Sequence, residues 1–376
     1  MKAGNTHILF LLTLQPNPRF VKQINYLNDK YKTSVLYFSR NTMVDYSGQI
    51  HSSVEQKDLG KIPNGKYLKR VFIFFKSIVK IKKYIKNNNI SHIVFDKIDA
   101  FIIYYLIRII FWKQSKIIKI IEVPDLKKIN FEKSITAKIY RYFEKKWMNK
   151  YIDKLLVTSP EYYNAYYKSF YKKDYFVLEN KPLSSNLPDK RYTNKEFNSK
   201  ILTLGLIGGL NRGKPTKALL DIVSKNNWLC LKVFGLGIDE KIINEYASKF
   251  SNIEFNGKFN FFKDAAMIYN EVDVAYIVYD TTNISLNTKL ALPNKLYECM
   301  YFEIPMIVSK DTYLAKRVLE DKIGVAIDFT NETEMINAFI NIRDNYKSLK
   351  ENFNKISEDK YIADTDYKEF TKFIID

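Results

Sequence analysis

Short apolar runs recur along the chain, separated by longer segments of mixed character. The runs at 7–12, 34–38, 93–95, 117–122, 155–158 and 177–179 are brief and almost wholly apolar. Runs of that length, bounded by polar turns, predict strands covered on both faces, as in parallel sheets. Helical spacing predicts helices at 20–30, after a turn through Pro16 and Pro18, and at 134–148. A second series of strands is predicted at 202–207, 229–234, 253–255, 274–278, 306–308 and 324–327. Helices are predicted between them at 214–224, 239–249, 263–270, 294–302 and 313–321. Regular alternation of strand and helix predicts an α/β class with two doubly wound parallel sheets facing a cleft. Ligands are then expected at the carboxyl ends of the strands. The polar stretch 185–198 is the expected linker, placing the domains at 1–190 and 199–358.

Composition narrows the class. Hydrophobic residues make up 46% of the 376, which excludes a disordered chain. Cys230 and Cys299 have no metal-type neighbours and are expected to be buried thiols in a reducing compartment. The early apolar run from Ile8 to Leu14 is short and no small-residue cleavage site follows, so it is read as the first strand, not a signal peptide.

Charge is distributed unevenly along the chain. The formal net charge is +19, and residues 1–190 hold 35 Lys and Arg against 15 Asp and Glu, whereas the rest hold 25 against 26. A field concentrated on one half attracts anionic partners. Segment 66–86 (KYLKRVFIFFKSIVKIKKYIK) spaces Val71, Phe74, Phe75, Ile78, Val79 and Ile81 at helical intervals among lysines such as Lys69 and Lys76, with Arg70 beside them. It reads as a basic amphipathic helix suited to an anionic membrane surface. Segment 100–113 is too short to span a bilayer and reads as a buried helix. The excess is mainly Lys carried on apolar helices, not Arg-rich or aromatic-platform motifs, so no nucleic acid partner is expected.

Chemistry concentrates in the second half. In 291–300 (ALPNKLYECM), Pro293 suits a first helical turn and Asn294 could cap it. The N–H groups of Asn294, Lys295 and Leu296 would then be free to bind a phosphate, with Lys295 adding charge. Glu298 lies one turn on and can accept two hydroxyls, as a ribose offers. Residues 204–215 (LGLIGGLNRGKP) predict a strand, a Gly-rich turn and a helix. There Gly208 and Gly209 would let backbone approach a phosphate and Arg212 would grip it. Lys214 and Lys217 are further cations nearby. Gly235 and Gly257 end the next two strands.

The string SLNTKLALPNKLYECMYFEIPMIVS, at 285–309, resembles the donor-site block of glycosyltransferase family 4 and its relatives, retaining enzymes of the GT-B type. The resemblance is specific over about 200–310 and looser elsewhere. It implies two Rossmann-like domains: an N-terminal acceptor domain and a C-terminal nucleotide-sugar donor domain. The segment 359–376 would form a helix crossing back to the first. It assigns Lys295 and the helix start to the diphosphate, Glu298 to the ribose, and Gly208, Gly209, Arg212, Gly235, Gly257, Asn287, Pro293, Asn294 and Leu296 to the donor site. Arg212 and Lys295 would stabilise the leaving diphosphate without metal or other cofactor, from a UDP- or GDP-linked donor. Arg19, in a loop over the active site, joins Lys69, Arg70 and Lys76 on the acceptor or membrane side. The implied activity is sugar transfer to a glycan or polyprenyl-diphosphate-linked saccharide in bacterial surface polysaccharide synthesis. It would take place in the cytoplasm, on the inner face of the cell membrane.

Two positions depart from the family pattern. Leu290 stands where a first glutamate of a pair is usual, and Pro124 stands where many relatives have a histidine. Asp125, or Asp99, is left as the acid–base candidate. Asp364-Thr-Asp366 resembles a metal motif of the other glycosyltransferase fold but follows no strand. Alternatives are an inverting GT-B transferase, a sugar-nucleotide epimerase, an inactive scaffold, and a basic nucleic-acid- or lipid-binding protein.

Overall fold

The computed structural model describes residues 6–40, 44–64, 67–111, 117–188, 197–282 and 284–376. The greater part of the expected linker, and the end of segment 100–113, lie outside the described residues. The chain divides into two compact units, Met1–Glu179 with Asp366–Asp376, and Asn180–Thr365.

The first unit contains β1 (His7–Leu12), β2 (Lys32–Ser39), β3 (Glu55–Lys61), β4 (His92–Phe95), β5 (Ile118–Val123), β6 (Lys154–Val157) and β7 (Tyr175–Val177). They form one sheet in the order β3-β2-β1-β4-β5-β6-β7. Every pairing is parallel. Its helices are α1 (Pro18–Asn28), α2 (Tyr67–Asn87), α3 (Ile98–Phe111), α4 (Ile135–Tyr151) and α5 (Pro160–Ala165). All six residues of β1 are buried, as expected for the central strand of a covered sheet. The strand β3 (EQKDLGK) has only Leu59 buried, because it lies at the sheet edge, where charged side chains discourage further pairing.

Polar caps start the helices. Asn17 accepts the Phe20 N–H at 3.1 Å and Pro18 follows at the first helical position, so α1 begins earlier than the spacing suggested. Ser134 caps α4 through the Ala137 N–H at 3.2 Å. A buried ion pair then locks α1 to the sheet. Arg19 is 7% exposed and Glu122, on β5, is 0% exposed. Arg19 also donates to the Leu178 carbonyl at 2.8 Å, and Gln23 donates to Glu122 at 3.1 Å.

The second unit contains β8 (Leu202–Gly209), β9 (Leu229–Leu236), β10 (Ile253–Gly257), β11 (Val274–Ile277), β12 (Met306–Ser309) and β13 (Gly324–Ile327). The order is β10-β9-β8-β11-β12-β13, again with parallel pairings. Its helices are α6 (Lys214–Lys225), α7 (Glu240–Ala247), α8 (Phe261–Glu271), α9 (Leu286–Leu290), α10 (Asn294–Phe302), α11 (Tyr313–Glu320), α12 (Glu332–Asp344) and α13 (Tyr346–Phe353). Strand residues alternate between two cores: Leu204, Leu206, Val274 and Tyr276 pack in one, Ile207, Ala275, Ile277 and Met306 in the other. The strand order reverses between β8 and β11, which in such sheets marks a ligand crevice.

The turn from β8 into α6 is held by one buried carboxylate. Asp239 accepts the N–H of Arg212 at 2.8 Å, the N–H of Gly213 at 3.1 Å and the hydroxyl of Thr216 at 2.7 Å. Its own N–H donates to the Leu210 carbonyl at 2.9 Å.

The last helix, α14 (Asp364–Ile375), carries the chain back into the first unit. Tyr367 meets Tyr26 edge-on at 4.9 Å and Phe373 stacks on Phe176 at 5.5 Å. Lys154 donates to the Phe373 carbonyl at 2.6 Å.

Three stability outcomes are expected. Arg19→Met strands Glu122 and should cost about 3–5 kcal/mol in urea unfolding, with much of it recovered by adding Glu122→Leu. The exposed pair of Lys217 and Asp221 on α6 should cost under about 1 kcal/mol on Lys217→Ala. Asp239→Ala leaves two N–H groups and a hydroxyl unpaired and should cost about 2–3 kcal/mol, with Asp239→Asn milder.

Candidate functional site

At the carboxyl edge of the second sheet, β8 and β9 carry paired glycines one residue before their ends, Gly208 beside Gly235. Gly235 has φ +143°, and a Cβ there would fall 1.8 Å from the Gly208 carbonyl oxygen, so only glycine fits. Gly208, at φ +108°, faces the Lys295 side chain: its Cβ would lie 3.1 Å from Lys295 Cε. The two strand ends therefore make a shallow notch of bare backbone with the Lys295 ammonium over it. Gly257 has φ +68° at a register shift in β10 and has open space beside it. Gly209 has ordinary φ, and its Cβ would meet only the Asn211 side chain, at 3.7 Å.

Lys295 and Glu298, one turn apart on α10, are ion-paired. Glu298 is 9% exposed and also accepts the Tyr269 hydroxyl at 2.7 Å. The Lys295 ammonium lies 5.7 Å from the centre of the Phe259 ring and 5.8 Å from that of Tyr269. Burial and the neighbouring carboxylate hold the Tyr269 phenol protonated well beyond its ordinary range. A carboxylate and an ammonium are thus stored together at the notch, each available to another partner if the pair opens.

The start of α10 differs from the expectation. Pro293 is the N-cap and no side chain caps the helix. The Asn294 side-chain oxygen instead accepts from Asn180 at 2.7 Å. The Leu296 N–H is spent on the Pro293 carbonyl at 3.0 Å, because the first turn is tight. An anion at this helix start would thus meet the N–H groups of Asn294 and Lys295, not Leu296. Asn287 is half-buried on the short helix α9 just before it.

Arg212 sits at the crossing between β8 and β11. Its Nη1 donates to the carbonyls of Tyr276 and Val278, at 2.8 and 3.3 Å, and its guanidinium lies 5.2 Å from the Tyr279 ring centre. Burial lowers its pKa from the ordinary arginine value. Its backbone N–H belongs to Asp239, so the Gly-rich turn directs those N–H groups inward. Lys217, one of the further cations near that turn, is bound to Asp221 and to the Tyr246 hydroxyl.

The first unit has its own cavity, of about 250 Å³, at the carboxyl ends of β4 and β5. Asp96, Glu122, Lys127, Asn130 and Glu144 line it, with Asp125 exposed at its rim. Asp96 accepts the Thr13 N–H at 3.0 Å and the Thr13 hydroxyl at 2.6 Å. Glu144 accepts from Tyr166 at 2.5 Å and Asn130 at 3.0 Å. Burial raises the carboxyl pKa of both Asp96 and Glu144. Asp99 pairs with Lys127 at 3.4 Å.

Other expectations need correction. Arg19 is consumed by Glu122 inside the unit, since a guanidinium beside a fully buried carboxylate is held there. It does not serve an exposed acceptor face. Cys299 is buried but Cys230 is half-buried. Asp364, the first residue of α14, accepts the Ser184 N–H at 3.2 Å, which ties the helix start to a distant segment of the second unit. Lys69 and Lys76 are exposed on α2, the Lys76 ammonium 4.6 Å from the Phe72 ring centre, whereas Arg70 is half-buried and donates to the Pro63 carbonyl at 3.2 Å. Sequence reasoning missed Asp239, Tyr269, Asp96 and Glu144. Only Asp96, a lone acid ending the apolar run IVFD, left a signal in the pattern.

No protein-family model and no curated protein matches the sequence. Solved structures do. Sucrose-phosphate synthase from Thermosynechococcus elongatus superposes with TM-score 0.69 at 12% identity, covering 98% of each chain. Anabaena Alr3699/HepE, in complex with UDP and glucose, gives 0.68 at 12% identity over 98% of this chain and 99% of its own. The lipopolysaccharide outer core galactosyltransferase WaaB gives 0.66 at 12% identity over the same shares. Likeness along nearly the whole chain, with two Rossmann-ordered parallel sheets, gives this protein the GT-B fold.

Proposed function

We propose that the protein is a nucleotide-sugar-dependent glycosyltransferase whose donor is held by the second unit. The observation that carries this reading is the notch at Gly208 and Gly235 with the Lys295–Glu298 pair over it. Bare backbone, an ammonium and a helix start suit a diphosphate, and a carboxylate one turn further suits a ribose. The fold is shared with a protein solved in complex with UDP-glucose, which supports a UDP-type donor, with GDP the other option.

In this account the incoming diphosphate draws Lys295 away from Glu298, and the freed carboxylate accepts the ribose hydroxyls. As the sugar leaves, charge grows on the diphosphate. Lys295 and the N–H groups of Asn294 and Lys295 stabilise it from fixed positions. Arg212, with Nη1 on two carbonyls, orients the crossing loop and adds positive potential. The proposed transfer is retaining and metal-independent. The proposed acceptor is a glycan or polyprenyl-diphosphate-linked saccharide of bacterial surface polysaccharide synthesis.

The proposed setting is the cytoplasmic face of an anionic membrane. No helix among the described residues is long and apolar enough to cross one. Two helices of the first unit leave apolar side chains exposed among cations. Val71, Phe72, Phe75 and Val79 do so on α2, and Ile135, Ile139, Tyr142 and Phe143 on α4. Such faces suit shallow insertion between anionic headgroups.

A second reading has support in Asp96, a buried carboxyl of raised pKa in the first unit's cavity. It could act as the base of an inverting transfer. The anomeric configuration of the product, read by proton NMR, separates the two.

Thermal unfolding with UDP, GDP, CMP and ADP tests the donor claim. One nucleoside diphosphate should stabilise the wild type by about 2.7 kcal/mol at a hundredfold excess over its Kd. EDTA should not alter that shift, and Glu298→Ala should abolish it. If none of the four stabilises the wild type, the transferase reading fails.

A further inference from the structure

Three cavities of the first unit adjoin one another, and their character changes in sequence. The polar cavity at β4 and β5 shares Lys97 with a second one, of about 300 Å³, at the carboxyl end of β1. Arg40, Arg70 and Lys97 line that second cavity beside Thr13 and Leu14. It shares Val71, Phe74 and Asp99 with a third, of about 260 Å³, lying between α2 and α3. Apart from Asp99, this third cavity is purely apolar, walled by Phe74, Phe75 and Ile78 on α2 and by Ile102, Ile103 and Leu106 on α3.

The middle cavity is short of negative charge. Arg40 Nε is buried and has no hydrogen-bond partner among the described residues. Burial, and then the neighbouring Arg70 guanidinium, depress the pKa of Arg40. Lys97 has Asp96 only at 4.0 Å, and Asp99 is engaged by Lys127 at 3.4 Å. The backbone of Arg40 is fixed in place: Gln15 donates to its carbonyl at 3.1 Å and accepts its N–H at 2.7 Å. Two guanidiniums lining one cavity at the end of a sheet, one with an orphaned N–H, fit a phosphate.

We infer that the three cavities together hold a single-chain lipid phosphate or diphosphate that carries a saccharide. The hydrocarbon lies in the groove between α2 and α3, and the phosphate sits among Arg40, Arg70 and Lys97. The attached sugar occupies the polar cavity beside Asp96 and Glu144. The role as acceptor site rests on the transferase reading, whereas the binding of the lipid phosphate does not. One chain is specified because the groove is a single crease between two helices. From Val71 to Ile78 its wall runs about 10 Å, at about 1.5 Å per residue.

Calorimetric titration of the full-length protein with farnesyl diphosphate, inorganic pyrophosphate, farnesol and dihexanoyl phosphatidylglycerol tests the site. Farnesyl diphosphate should bind more than about tenfold tighter than each of the other three. Arg40→Gln and Phe75→Glu should each weaken it by about tenfold. Phe75 is exposed, so its replacement leaves the fold intact, which thermal unfolding checks. Lys295→Ala, in the second unit, should leave the affinity unchanged. Equal binding of pyrophosphate or farnesol would overturn the proposal, as would insensitivity to both first-unit variants. Equal binding of dihexanoyl phosphatidylglycerol would replace the single-chain ligand with a bilayer phospholipid. A protein that binds farnesyl diphosphate as described but no nucleoside diphosphate keeps this site and loses the transferase reading. The converse result keeps the transferase reading and removes the site.

Discussion

Parallel pairing constrains everything else in this protein. When every strand runs the same way, all the carboxyl ends lie along one edge of the sheet, and the loops leaving them share that edge. In the second unit this brings Gly208 of β8 beside Gly235 of β9, and sets Arg212 against the carbonyl of Tyr276 in β11 and that of Val278 just after it. In the first unit it brings Thr13, Asp96 and Glu122 to one place, although they are far apart in sequence. The chemistry in both units depends on this edge.

Compensation of charge is a second constraint on the fold. The chain is strongly basic, and several of its interior cations are partnered. Arg19 has Glu122, and Lys295 has Glu298. Asp239 is satisfied by N–H groups and a hydroxyl, so it organises a turn instead of neutralising a cation. Burying an unpaired charge is costly, so such partnerships are required for folding. Two places stand apart. The Lys295–Glu298 pair sits at the carboxyl edge of the sheet, where a ligand could replace one partner, and Arg40 shares a cavity with Arg70 and pairs with no carboxylate among the described residues. The exposed cations are concentrated on helices such as α2, where apolar side chains accompany them.

Much of the fold was legible because buried parallel strands are continuous apolar runs. β1, β13 and α10 have the predicted bounds, and most other strands differ by one to three residues at an end. β3 escaped because an edge strand is mostly solvated and EQKDLGK has no apolar period. The helix α2 was found from its spacing, but its apolar residues serve two directions. Ile78 and Ile81 are buried, while Val71, Phe75 and Val79 are exposed, which period alone does not separate. At the candidate site, the glycines and the Lys295–Glu298 pair were legible because they are close in sequence or carry special backbone angles. Tyr269 and Asp239 were not, because each acts on residues more than 20 positions away. The same distance hid the fate of Arg19, whose partner lies 103 residues along the chain.

The most direct measurement is a crystal structure of the wild-type protein with the nucleoside diphosphate that binds it. The ribose hydroxyls should lie on Glu298 and the diphosphate at Gly208 and the start of α10, with the Lys295–Glu298 pair broken. A nucleotide bound elsewhere, or bound at the notch with Lys295 and Glu298 still paired, would contradict this donor site.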